Sequence, residues 1–157
     1  MPSVTLNATL PESLSISTSV SSVNFALIPG GTANGSVPIG ITTSWVLAQG
    51  RANVVLDAYF LSSTGALTGG TPVVSLPSST VYGLMATGTP TAYTPFTQSA
   101  ALGTAGGGLT LFTQALSSSN RNANRTDNLL LQINLSGQPQ LPAGTYTGSL
   151  ILAAQAL

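Results

Sequence analysis

Few side chains in this sequence could do chemistry. Among 157 residues there are three arginines, three acids and no histidine or cysteine. The charged set is Glu12, Arg51, Asp57, Arg121, Arg125 and Asp127. Acid–base catalysis ordinarily needs a histidine, or a carboxylate tuned by burial or a neighbouring charge. Glu12, Asp57 and Asp127 lie on three separate segments, and neither a Gly-x-Ser-x-Gly elbow nor a lysine-bearing phosphate loop accompanies them. The glycine run from Gly103 to Gly108 lacks the strand before it and the helix after it that a nucleotide cradle needs. The residues therefore predict no catalytic centre and no cofactor.

Metal and nucleic-acid chemistry fare no better. Asn120 to Arg125 has the alternate spacing that opens a calcium loop, but no carboxylate at those positions and no glycine at the sixth. Leu131 stands where the bidentate glutamate belongs. The stretch from Ser117 to Asp127 reads instead as a solvated hairpin loop with an Arg125–Asp127 contact. Without cysteine there are no disulfides and no thiolate metal site. Three arginines without a lysine cannot neutralise a phosphate backbone, so nucleic acid is not an expected partner.

Sugars remain, as ligands or as modifications. Trp45 shares parity with Val37, Ile39 and Ile41, which makes it a core residue. Tyr59, Tyr82 and Tyr93 are left as platform residues for a monomeric adhesin or carbohydrate-binding module presenting Ser62 to Gly108. Asn7, Asn34, Asn124 and Asn134 each begin an Asn-x-Ser/Thr sequon. Chance alone supplies about two such matches in a chain this rich in Ser and Thr. Asn7 and Asn134 fall on the polar parity of expected strands, Asn34 and Asn124 in expected turns, so each could carry a glycan.

The elements that position these residues are strands. Val4, Leu6, Ala8 and Leu10 alternate with polar residues. Pro11 interrupts the pattern and Ser13–Ser17 resumes it, as expected where proline splits two strands or marks an edge. Val23–Leu27 reads as a short strand, Asn34-Gly35 as a type I′ hairpin turn, and Val37–Trp45 as a long alternating strand. A further strand is expected from Asn53 to Phe60, with Val54, Leu56, Ala58 and Phe60 on one side and Asp57 on the other. Ser62 to Gly108 reads as two or three short strands and a long loop. Strands then follow at Leu109–Phe112, at Asn128–Leu135 and from Tyr146 to Ala154. Helical periodicity is absent. Roughly eight to ten strands with turns every ten or so residues predict an all-β, immunoglobulin-like Greek-key sandwich. Its body would be residues 12–157, with residues 1–11 as a separate N-terminal strand.

Composition points outward. The chain is 43% hydrophobic and 4% charged with zero net charge, which favours association over solubility as a monomer. No window approaches the twenty apolar residues of a membrane-spanning helix. Nine scattered aromatics do not make the girdles of a small membrane barrel. Met1-Pro2-Ser3 carries no signal-peptide pattern, and the remainder reads as a mature extracellular chain.

The N-terminal strand carries the functional expectation. It could pair within its own sheet, or reach into a neighbour and complete that neighbour's sheet. In the second arrangement Val4, Leu6, Ala8 and Leu10 are donor residues. The acceptor groove is then lined by Leu129, Leu131, Ile133, Leu135, Tyr146, Leu150 and Leu152. Head-to-tail pairing of this kind builds a filament. The approach Leu141-x-x-Gly144-x-Tyr146 resembles a tyrosine corner, in which the hydroxyl bonds back to the backbone just upstream. The closing run Ala143-Gly144-Thr145-Tyr146-Thr147-Gly148-Ser149-Leu150 looks like that of bacterial spore-coat-U-type and related fimbrial (pilin-type) subunits. That resemblance implies a secreted immunoglobulin-like domain that assembles by donor-strand exchange into a homopolymer on the cell surface.

Overall fold

The computed structural model describes residues 1–98, 104 and 106–157. The strands, in chain order, are β1 (Ser13–Thr18), β2 (Thr32–Asn34), β3 (Ile39–Val46), β4 (Asn53–Tyr59), β5 (Leu67–Gly69) and β6 (Val74–Leu76). They continue with β7 (Val81–Met85), β8 (Thr94–Pro95), β9 (Leu109–Ala115), β10 (Asn122–Asn134), β11 (Tyr146–Thr147) and β12 (Ile151–Ala156). One 3-10 turn, Ser78–Thr80, precedes β7, and there is no α-helix among the described residues. Among the described residues no helix is long and apolar enough to cross a membrane.

The largest sheet runs β1-β3-β10-β7-β8, with β2 also pairing β10; smaller sheets run β12-β4-β9 and β11-β5-β6. Every pairing between these strands is antiparallel. The fold is thus all-β and sandwich-like. Alternation decides which side of each strand is buried. Ile41 and Trp45 of β3 and Leu129, Leu131 and Ile133 of β10 join Val54, Leu56 and Ala58 of β4 and Leu111 of β9 in one core. Trp45 is buried as expected, its indole N–H donating to the Asn120 carbonyl at 2.7 Å.

Several expectations are corrected. Asn34-Gly35 is not a hairpin turn: Asn34 ends β2 against Gln132, and Gly35 bridges to Phe25 with an ordinary φ. Long-range pairing has overridden the local turn preference. Val23–Leu27 contributes only that bridge and is not a strand. Val37 is exposed and β3 begins at Ile39. The expected loop from Ser117 ends at Arg121, because Asn122–Asp127 is the first half of β10 and pairs with β3 from Val46 to Ile41. Its polarity has two different causes. Asn122, Asn124, Thr126 and Asn128 face solvent, with the Thr126 hydroxyl 2.8 Å from that of Thr42. Arg125 and Asp127 point inward as a pair.

Asp57 lies opposite Leu56 as expected but is buried, its carboxylate accepting from the Thr110 hydroxyl at 2.7 Å and the Gly106 N–H at 2.8 Å. The closing run is two strands, β11 and β12, because β11 pairs with β5 in one small sheet and β12 with β4 in another. Gly148, between them, passes so close to the Ala66 carbonyl that a Cβ would lie 1.9 Å from its oxygen. Only glycine permits that backbone-to-backbone approach.

Candidate functional site

A groove of about 920 Å³ opens between the two layers. Its floor comes from both layers: Ile39, Val81, Leu131, Ile133 and Leu135 from the large sheet side, Phe60 and Leu67 from the other. One wall is the chain after β1, from Thr18 to Pro29, which presents Val20, Val23, Phe25 and Leu27. The other wall is the segment from Leu141 to Leu152, which presents Tyr146, Leu150 and Leu152. The walls form because β1 and β12 lie against each other at one end of the molecule and their neighbouring segments diverge towards the other. Where β1 and β12 meet, a concavity of about 520 Å³ is lined by Glu12, Leu14, Arg51 and Ala156; where the segments part, apolar side chains line the larger groove.

Of the expected acceptor residues, Leu131, Ile133, Leu135, Tyr146, Leu150 and Leu152 all line this groove. Leu129 does not, being fully buried in the core beneath. The wall residues Val23, Phe25 and Leu27 are not among the expected acceptor residues; their alternation is visible in the sequence but reads there only as a short strand. Tyr146 holds its wall in place: the hydroxyl donates to the Pro142 carbonyl at 2.6 Å, the backbone bond expected of a tyrosine corner.

The expected donor residues stand apart from everything. Residues 1–12 belong to no strand and all are exposed. Val4, Leu6 and Leu10 are 84%, 88% and 79% exposed, an apolar stripe with nothing on it. The arm therefore does not pair in its own sheet, and β1 begins only at Ser13, after Pro11.

At the root of the arm the few charges gather. Glu12 Oε1 accepts from the Ala48 N–H at 2.8 Å and from Arg51 Nε at 3.2 Å, and Oε2 accepts from Arg51 Nη2 at 3.2 Å. Arg51 Nη1 also donates to the Ala156 carbonyl at 3.3 Å, tying in the end of β12. Arg121 donates to the carbonyls of Ala48 and Arg51 at 2.7 and 3.0 Å. The bonds from Arg51, then that from the Ala48 amide, hold the Glu12 carboxyl below the usual glutamate range; Glu12 raises Arg51 in turn.

The remaining candidates are dispersed. Asp127 is 1% exposed, accepting from Arg125 Nη2 and the Thr87 hydroxyl, each at 2.7 Å, while the Arg125 guanidinium lies 4.1 Å from the centre of the Phe112 ring. Asp57, Asp127 and Glu12 do not converge, and no group of three or more metal-ligating side chains occurs among the described residues. Asn120 caps its own loop, accepting from the Ser117 N–H at 2.7 Å, and is not arranged as a calcium ligand. Tyr82 and the neighbourhood of Tyr93 meet at the β7–β8 edge, whereas Tyr59 lies on β4 in another sheet. Among the sequons, Asn34 and Asn124 lie in strands rather than turns. Asn7, Asn34 and Asn124 are exposed, although the Asn34 side chain accepts from Gln132 at 2.9 Å. Asn134 is half-buried and accepts from the Ser136 N–H at 2.9 Å.

Compared with known proteins, the chain matches no protein-family model, no curated sequence and no solved structure. Its class is thus defined by its own geometry: an antiparallel, sandwich-like all-β domain with an open groove between its layers and an exposed N-terminal arm.

Proposed function

We propose that this protein is the structural subunit of an extracellular homopolymer. Residues 4–10 of one copy complete the immunoglobulin-like Greek-key sandwich of the next by occupying its groove. One observation supports the proposal: an unpaired arm with a periodic apolar face belongs to the same chain as an open groove lined by Leu131, Ile133, Leu135, Leu150 and Leu152. Burying Val4, Leu6 and Leu10 is worth roughly 1.5–3 kcal/mol per side chain, and the arm's N–H and C=O groups gain a ladder partner.

Reach favours a second copy over self-filling. Chain positions advance about 3.3 Å each in a strand, so β1 extends about 20 Å from the arm's root and residues 4–10 span about 23 Å. Folded back at Pro11, those residues would lie alongside β1, where β12 already sits, and would end near Thr18, where the groove begins. An incoming arm enters from the open end and runs antiparallel to the Leu141–Ala156 segment. The body of the donor then lies beyond the open end of its acceptor, and the same step repeats. Such a heterologous contact does not close. A chain with only six charged residues, of which Asp57 and Asp127 are buried, does not oppose the stacking of copies.

The test is removal of residues 1–11. Electron microscopy of the full chain is expected to show filaments, and the truncation to give monomers or insoluble material. Filaments of normal length from the truncated protein would refute the proposal.

A further inference from the structure

We infer that the Glu12–Arg51 clamp selects the occupant of the groove, sending the arm to the next copy in an open chain and keeping it from its own body or a reciprocal pair. This rests on the donor-strand reading and names what chooses the partner in it.

The first observation is where the charges are. Asp57 is buried with Thr110 and Gly106, and Arg125 and Asp127 pair between the sheets. The other three charged residues, Glu12, Arg51 and Arg121, all stand at the root of the arm. Stability does not account for this concentration. The Glu12 and Arg51 side chains are 38% and 44% exposed, and ion pairs so wetted contribute little to folding. What the cluster does supply is direction. The Glu12 carboxylate is held from three donors, on Ala48 and Arg51, and Arg51 is held in turn by the Ala156 carbonyl. Arg121 braces the same turn from the far side through its two carbonyl contacts.

The second observation is the residue order. Glu12 is fixed by its side chain, Pro11 has a locked φ, and Leu10 is confined to extended conformations because it precedes proline. Three consecutive stiff positions carry the arm off the body, and all of residues 1–11 are exposed along it. Direction matters here because the alternatives to an open chain are intramolecular or pairwise. Once two copies are joined by one arm, a second arm free to swing back meets its partner's groove at an effective concentration in the millimolar range. That closes a dimer and ends growth. An arm held away from its own body cannot make the return.

The experiment uses Glu12→Gln and Arg51→Gln, with circular dichroism and thermal melting to establish that each folds as the wild type does. Filament length by microscopy and closed species by light scattering are the first readout. The clamp variants are expected to give filaments several-fold shorter and a dimer peak that the wild type lacks. The second readout does not depend on assembly. Spin labels on Ser3→Cys and Ser136→Cys, in a chain with no other cysteine, report the arm's distance from the open end of its own body in dilute monomer. A single long distance is expected with the clamp and an added short-distance population without it. Unchanged filaments or an unchanged distance distribution in both variants overturns the clamp. A wild type that forms no filaments at any concentration overturns the donor-strand reading instead, while the distance measurement still decides whether the clamp aims the arm.

Discussion

The two ends of the sandwich are built on opposite terms. At one end β1 and β12 touch, the last strands are tied by Glu12, Arg51 and Arg121, and the arm departs. At the other end the segments neighbouring the same two strands part, and Leu131, Ile133, Leu135 and Leu150 line an open groove. β10 runs through both, and its inward side changes character on the way, from the Arg125–Asp127 pair to Leu129, Leu131 and Ile133. The difference teaches that polar side chains close this fold where it is to stay shut. Apolar ones line the groove where the neighbouring segments part.

The largest effect expected from this contrast is on assembly. Leu6→Asp places a charge in the middle of the arm's apolar stripe, and burying it without a partner is prohibitive. Filaments should disappear in microscopy while the melting temperature of the monomer stays put, because Leu6 touches nothing in the body. A filament-forming Leu6→Asp protein would mean that the open end is not filled by the arm.

Next comes the closed interior. Asp127→Ala leaves the Arg125 guanidinium between the sheets without its carboxylate and the Thr87 hydroxyl without an acceptor. Breaking such a buried pair should cost about 3 kcal/mol or more in urea denaturation. A loss under about 1 kcal/mol, as for a surface pair, would remove the distinction drawn between the two halves of β10.

Thr43 sharpens the comparison from the other side. It is fully buried on the inward face of β3, and its hydroxyl has no hydrogen-bond partner among the described residues. Thr43→Val keeps the shape and removes the orphan group, so a gain of about 1 kcal/mol is expected in the same assay.

The smallest effect is on pH dependence. Glu12 is depressed in the folded protein, so its contribution is present above the ordinary glutamate range and is lost as pH falls through the lowered value. Arg51, the nearest charged side chain, is itself raised by Glu12 and keeps its charge across that window; Arg121 is the other charged side chain at the turn. The difference in arm distances between wild type and Glu12→Gln should therefore be full at neutral pH and vanish in acid. A difference that persists below the carboxylate range would put the hinge elsewhere.

How far the sequence carried this depends on whether the deciding partner was local. Leu129 to Leu135 were legible as an inward face, since one residue in two is apolar and burial alone explains it. The arm was legible for the same reason, its stripe being a property of Val4 to Leu10 alone. Asn122 to Asp127 were not, because an outward row of Asn and Thr beside an inward Arg and Asp looks like a solvated loop until β3 is placed next to it. Asn34-Gly35 misled likewise: a strong turn signal gave way to pairing with a segment about a hundred residues away. Glu12 and Arg51 are 39 residues apart, and Asp57 lies 53 from Thr110. No spacing rule connects either pair; only the folded sheets do.

The register of β1 has a mechanical meaning. Ser13 to Thr18 pair with Val46 to Ile41 through six consecutive positions, and the arm leaves from the first of them. Tension applied through the arm along the long axis loads all of those pairs together in shear, rather than peeling them one by one. Force entering at Glu12 is shared across the ladder into β3, and from there into β10, the longest strand of the molecule.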